Sequence, residues 1–186
     1  MMNRTALARP LMAALVVALA IPLAATSSHA QEEAAAEAGV EQFAGTWRYA
    51  GSAQSGTQII SRAVDRTVDP MNIFVRAIAA GRLRDKNPLV RRITITVTGQ
   101  TVNVDFDGNR SYRTTLGQWR RHTFDGDSIN VQFRFQRGSL VQLFRTDGGS
   151  RRNVYRMMPN GQMRLEVTVQ SDQLPRDMTY RLSYRR

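Results

Sequence analysis

The 186-residue chain has no cysteine. That excludes disulfide staples, a thiolate nucleophile and a lipid anchor on an N-terminal cysteine. It does not argue against export, because a domain above about 100 residues buries enough core to stand without cross-links. Histidine is nearly as scarce, with only His29 and His122. Most transition-metal sites draw on several His or Cys ligands, so no metal centre is expected. Neither Gly-x-Ser-x-Gly nor His-Glu-x-x-His occurs, and these absences point to a binding protein without a cofactor, not an enzyme. A long apolar run is missing too. Leu11–Ala25, interrupted by Pro22, falls short of the ~20 apolar residues of a membrane span.

Acids are also in short supply. From Phe43 onward there are 24 basic residues against 11 acidic ones, and all the basic residues but Lys86 are arginine. So positive a balance predicts attraction to polyanions, whether nucleic acid, anionic lipid headgroups or acidic polymers. The N-terminal segment narrows that choice. Arg4 and Arg9, the apolar run and Ser28-His29-Ala30 form the three parts of a secretory signal peptide, with cleavage predicted after Ala30. Residues 1–30 are then a signal and 31–42 an acidic, flexible leader. Residues 43–186 are one domain of ordinary size. The expected location is periplasmic or secreted, in a bacterial envelope, where nucleic acid is not the expected partner.

Within the domain, Phe43, Gly45 and Trp47 alternate along an opening strand, with Gly45 expected to leave room for a close strand approach. Two helices follow, between about 56 and 81. Ser55 is the expected cap of the first, which carries Ile59, Ile60, Ala63 and Val64. Asp69-Pro70 is the expected start of the second, with Ile73, Phe74, Ala77 and Ile78 as its apolar stripe and Gly81 as its end. Beyond Leu89 apolar residues recur with period 2, as in Ile93, Ile95 and Val97 or Ile129, Val131 and Phe133. Thr98-Gly99, Asp107-Gly108, Arg137-Gly138, Asp147-Gly148-Gly149 and Asn160-Gly161 supply hairpin turns. The pattern predicts an all-β fold: a closed up-and-down antiparallel barrel of about ten strands, with a helix-turn-helix cap after strand 1. Closure removes exposed edges, and a two-sheet sandwich is the rival arrangement. Asp105, Asp107, Asp125 and Asp127 lack the ligand spacing of a calcium loop and read as turn acids.

"FAGTW" (Phe43–Trp47), the helix pair after it and "FRFQRGSLVQLFRTDG" (Phe133–Gly148) together resemble the fatty-acid-binding protein family of the calycin superfamily, over nearly all of residues 43–186. The resemblance implies a ligand inside the barrel, its carboxylate held by two arginines and a tyrosine on the last strands. Arg156 falls on the first arginine position and Arg181 on the second. Ser183 stands where the family has its tyrosine, and tyrosine appears at Tyr184. Alternation makes Tyr180 and Tyr184 the inward pair if Arg181 faces solvent. Arg134 joins the candidate ligand-binding set, and Trp119 with Phe124 could cover the cavity wall. Met157, Met158, Met163 and Met178 suit either an adaptable cavity lining or ordinary core. Haem-holding barrels of the superfamily need an axial histidine, and His122, beside Arg120 and Arg121, is a poor nominee.

The functional expectation is an exported carrier or sequestering protein for a hydrophobic ligand with an acidic headgroup, such as a fatty acid. Arg62, Arg66, Arg76, Arg82, Arg84 and Lys86 make the cap positive, suited to transient contact with an anionic membrane. The alternative is a basic barrel that binds an anionic envelope polymer or a partner protein and holds no cavity ligand. Inhibition of a secreted enzyme is a third reading.

Overall fold

A computed structural model describes residues 39–124 and 126–186; the signal segment, residues 31–38 of the leader and Asp125 lie outside them. Ten strands and two helices follow in the order β1 (Gly45–Tyr49), α1 (Ala53–Val68), α2 (Ile73–Lys86), β2 (Arg92–Thr98), β3 (Thr101–Phe106), β4 (Arg110–Thr115), β5 (Trp119–Phe124), β6 (Asp127–Gln136), β7 (Ser139–Thr146), β8 (Gly149–Met157), β9 (Met163–Gln170) and β10 (Met178–Arg185). The strands form one antiparallel sheet, ordered β4-β3-β2-β1-β10-β9-β8-β7-β6-β5. It is a meander closed through β1–β10, where Arg48 pairs with Arg185 and Tyr49 with Tyr184. The helices lie between β1 and β2, as an all-β barrel with a helical cap requires.

Closure is nearly complete. The two ends of the sheet, β4 and β5, meet without a backbone ladder of their own. The seam is pinned at one end by a parallel bridge between Leu116 and Phe133 and by the Gly117 amide donating to the Phe133 carbonyl at 2.8 Å. Farther along, side chains span it. The Tyr112 ring meets His122 at 5.5 Å and Phe124 at 5.2 Å, both edge to face, a geometry favoured by the aromatic quadrupole.

The core fills the inside of the barrel. Trp47, Phe43, Ile93, Ile95, Phe133, Leu140, Met163, Leu165 and Met178 are essentially fully buried. The indole of Trp47 donates to the Phe43 carbonyl at 2.8 Å, which meets the need of a buried N–H for an acceptor. Val40, in a helical turn over residues 39–41, is also fully buried, so the packed domain takes in part of the expected leader. Met163 and Met178 belong to the core, whereas Met157 packs against it only partly buried. Gly45 is exposed and adopts φ +127°. Its role is therefore a backbone conformation that L-residues avoid, not a close approach of strands.

The helices depart from the sequence expectation at their ends. Ser52 caps α1, its hydroxyl accepting from the Ser55 amide at 3.1 Å. Asp69 closes that helix in αR geometry and so cannot start the next. Asn72 does so, accepting from the Val75 amide at 3.0 Å, in the manner of an N-cap. Gly81 does not end α2, which runs on to Lys86; a single mid-helix glycine costs only about 1 kcal/mol. The larger departure is burial. α1 buries Ile60, Ala63, Val64, Thr67 and Val68, but α2 buries only Ala80. Its expected core stripe is open to solvent, with Ile73 73%, Phe74 83% and Ile78 61% exposed.

Candidate functional site

β8 places its residues alternately inside and outside the barrel, and that parity sets which arginine meets the interior. Asn153 and Tyr155 are fully buried among the inward side chains, which puts Arg151 on the same face. Arg151 is partly buried. Its Nε donates to Asn153 Oδ1 at 2.8 Å, Nη1 to Asn87 Oδ1 at 3.2 Å and Nη2 to Tyr180 Oη at 3.5 Å. The guanidinium also lies 6.0 Å from the Phe144 ring centre. Asn87, just past the end of α2, uses its amide nitrogen on the Leu83 carbonyl at 2.8 Å. The cap is thereby tied to the interior arginine.

Below Arg151 the network is neutral. Tyr155 Oη donates to Gln142 Oε1 at 2.7 Å, and Asn153 Nδ2 donates to the same oxygen at 3.2 Å. Gln142 Nε2 is buried without a partner among the described residues, and so is His122 Nε2 on β5. Buried polar atoms left unpaired are rare in folded proteins. The ion pairs of the described residues use Asp65, Asp69, Asp127 and Glu166, so none supplies a carboxylate to Arg151. A charged guanidinium in a confined space, held only by neutral groups, is suited to an anion that would complete its charge-assisted bonds.

The surrounding groups stay neutral near pH 7. Burial pushes the Tyr155 phenol far above the ordinary tyrosine range, against the opposing pull of the Asn153 hydrogen bond and the Arg151 charge. Burial also raises Tyr184, and it raises Tyr112 against the charges of Arg110 and Arg151. His122 is lowered, first by burial and then by the Arg120 charge. The interior therefore offers the partly buried Arg151 cation with neutral donors and acceptors bonded to it.

The residues singled out in the sequence are dispersed. Arg156 and Arg181, the arginines the resemblance nominates, point outward. Arg156 is exposed, with its Nε donating to Ser139 Oγ at 3.3 Å, and Arg181 forms a surface pair with Glu166 at 2.6 Å. Arg134 is on the outer face as well, its Nε donating to Gln132 Oε1 at 2.7 Å. Trp119, 37% exposed, lies on the outside under the Arg145 guanidinium at 4.5 Å and does not line the interior. Tyr180 and Tyr184 are the inward pair. Tyr184 is engaged structurally, donating to the Val90 carbonyl at 2.9 Å, while Tyr180 belongs to the Arg151 cluster. Sequence reasoning missed Arg151, Asn153 and Gln142, because β8 carries arginines on both parities and buries both Val154 and Tyr155. Among the turn acids, Asp107 accepts from the Arg91 and Arg92 amides at 3.1 and 2.7 Å, and Asp105 accepts from the Gly108 amide at 2.7 Å. A groove of about 360 Å³ lies between the helices, lined by residues such as Val68, Ile73, Arg76 and Arg84, outside the barrel.

With that geometry in view, likeness to known proteins is confined to shape. No family model and no curated protein matches the chain. Among solved structures, a secretory abundant heat soluble (SAHS) protein of Ramazzottius varieornatus superposes with a TM-score of 0.52 at 11% identity, over 78% of this chain and 95% of that one. Lipid binding protein 8 of Caenorhabditis elegans gives 0.48 at 15% identity, over 78% and 96%. A fatty acid binding protein of Schistosoma mansoni, solved with arachidonic acid, gives 0.47 at 16%, over 80% and 98%. The chain has a fatty-acid-binding-protein-like fold. At these identities the likeness concerns architecture alone.

Proposed function

We propose that this barrel is an exported carrier that holds a hydrophobic ligand by an acidic headgroup, with Arg151 as the anchoring cation. The observation that carries the reading is Arg151 itself, turned to the interior and bonded only to Asn153, Asn87 and Tyr180. The unpaired nitrogens of Gln142 and His122 add two further points at which an acidic or polar group could bond. Apolar contact with Phe144 and Tyr112 would contribute affinity at ~25 cal/mol per Å² buried. The described interior is crowded with large side chains, so the occupant is compact, or Tyr112 and its neighbours shift to admit it.

Pickup from an anionic membrane belongs to the same proposal. The first turns of α2 expose Ile73, Phe74, Val75 and Ile78 with Arg76 among them, and Arg82, Arg84 and Lys86 follow on that helix. Of these cations Arg82 has no acid partner among the described residues, while Arg76, Arg84 and Lys86 form exposed pairs with Asp69, Asp65 and Asp127. Apolar side chains would enter the headgroup boundary while each nearby cation adds about 1 kcal/mol.

The test is native mass spectrometry of the protein purified gently from its own host, followed by titration of delipidated protein with a fluorescent fatty acid. The expected result is a co-purifying lipid-sized mass and saturable binding that Arg151→Met weakens. Absence of binding to every lipid class offered would end the carrier reading. Sequencing the N-terminus of the mature protein checks the expected processing after Ala30.

A further inference from the structure

The outer face of β8 and β9 carries a second cationic site, separate from the interior. We propose that Arg152, Arg156 and Arg164 bind the sulfate or carboxylate groups of an acidic polysaccharide. These three side chains, with Val154 and Glu166, line a groove of about 60 Å³ on the barrel wall. Arg156 and Arg164 are directly opposed across the two strands, which brings their Cβ atoms to roughly 5 Å. Like charges in that position repel, and the fold has no local remedy for it. The one acid in the groove, Glu166, is engaged by Arg181 at 2.6 Å. Arg156 has only the Ser139 hydroxyl, and Arg152 and Arg164 have no ion-pair partner among the described residues. An oxyanion seated between the guanidinium groups would turn this repulsion into charge-assisted bonding.

The site is also built to stay cationic and open. Val154 is 7% exposed and Val141, its cross-strand neighbour, 3%, although both lie on the outer side. Arginine stems cover such apolar patches while the heads remain in water. The same face continues through Arg134 on β6 and Arg145 on β7, giving cations without an acid partner among the described residues across roughly 14 Å from β6 to β9 at ~4.8 Å per strand. That extent fits a polymer with repeated charges better than a single small anion.

A polysaccharide is favoured over single-stranded nucleic acid by the scarcity of stacking surfaces. Sheet surfaces that bind single strands present successive exposed aromatics for the bases. Here Trp119, 37% exposed, is the only exposed aromatic on the strands among the described residues, and Arg145 lies over its ring.

The experiment measures binding of the purified full-length protein to heparin across a salt series, with a single-stranded DNA oligonucleotide in parallel. The expected result is tighter binding to heparin than to DNA. The Arg156→Ala/Arg164→Ala variant should lose about tenfold in heparin affinity and lower the salt slope by about 2. Arg62→Ala/Arg66→Ala on α1 removes the same net charge and should change affinity much less. Equal losses in the two double variants would overturn the site in favour of diffuse attraction. Stronger binding to DNA would overturn the polysaccharide assignment. Circular dichroism of both variants checks folding, which these surface changes should leave intact.

Discussion

The two faces of β8 differ by one residue in parity and by everything in chemistry. Inside, Arg151, Asn153 and Tyr155 belong to a hydrogen-bonded network that encloses one cation among neutral groups. Outside, Arg152, Val154 and Arg156 line a groove that holds three cations and one acid. The inner arginine is fixed by three neutral partners. The outer arginines have little to fix them and repel one another. Charge alone does not distinguish the two settings; the number of satisfied donors does. A side chain held by several bonds selects a ligand by geometry, and a loosely held group of cations selects by charge density.

The strongest way to break this comparison is stability. Tyr155→Ala should cost about 3–5 kcal/mol in urea unfolding, because it empties a fully buried aromatic site. Arg156→Ala should stay within about 0.5 kcal/mol, or stabilise slightly by relieving the pair with Arg164. Comparable losses would mean that the faces are not energetically distinct. A smaller effect comes from Gln142→Leu, which removes the acceptor shared by Tyr155 and Asn153. About 1–3 kcal/mol of lost stability is expected.

Arg151→Met sharpens the contrast from the side of binding. It should weaken an acidic ligand by at least about tenfold, in line with the 1.5–3 kcal/mol of a charged hydrogen bond, measured by fluorescence titration. The outer variant Arg181→Ala should leave that titration unchanged and cost at most ~1 kcal/mol of stability, since its pair with Glu166 is solvated.

The subtlest effect is a pH dependence. His122 is held below its ordinary pKa by burial and by Arg120, so the unfolded chain binds its proton first. Stability should fall as pH drops below about 6.5, and His122→Gln should flatten that limb of the profile. The buried phenols act at the other extreme. Tyr112, Tyr155 and Tyr184 titrate higher when folded, so their contribution is full below about pH 10 and is lost at higher pH.

Much of the architecture was legible because period-2 alternation and glycine-bearing turns act locally. The strand count, the helix pair and the burial of Trp47 all follow from such signals. The candidate site was legible only where alternation is clean. In β10, Tyr180, Leu182 and Tyr184 alternate with Arg181, and the direction of each can be read. In β8, arginines occupy both parities at 151, 152 and 156, and Val154 and Tyr155 are both buried. Neither charge nor apolarity then marks the inward face. The α2 stripe illustrates another gap. Periodicity identifies Ile73, Phe74 and Ile78 as one apolar side of a helix, but not whether that side meets the core.

The seam between β4 and β5 bears on how the barrel could change its girth. In a hoop of unbroken ladders, widening means breaking backbone hydrogen bonds. Here one joint lacks a ladder, is riveted at Leu116–Phe133 and is closed beyond that point by the rings of Tyr112, His122 and Phe124. The circumference can therefore grow by sliding aromatic rings apart about a fixed end, leaving every paired strand intact. The barrel is better likened to a clasp than to a sealed drum, with its hinge at Gly117 and its catch in three side chains.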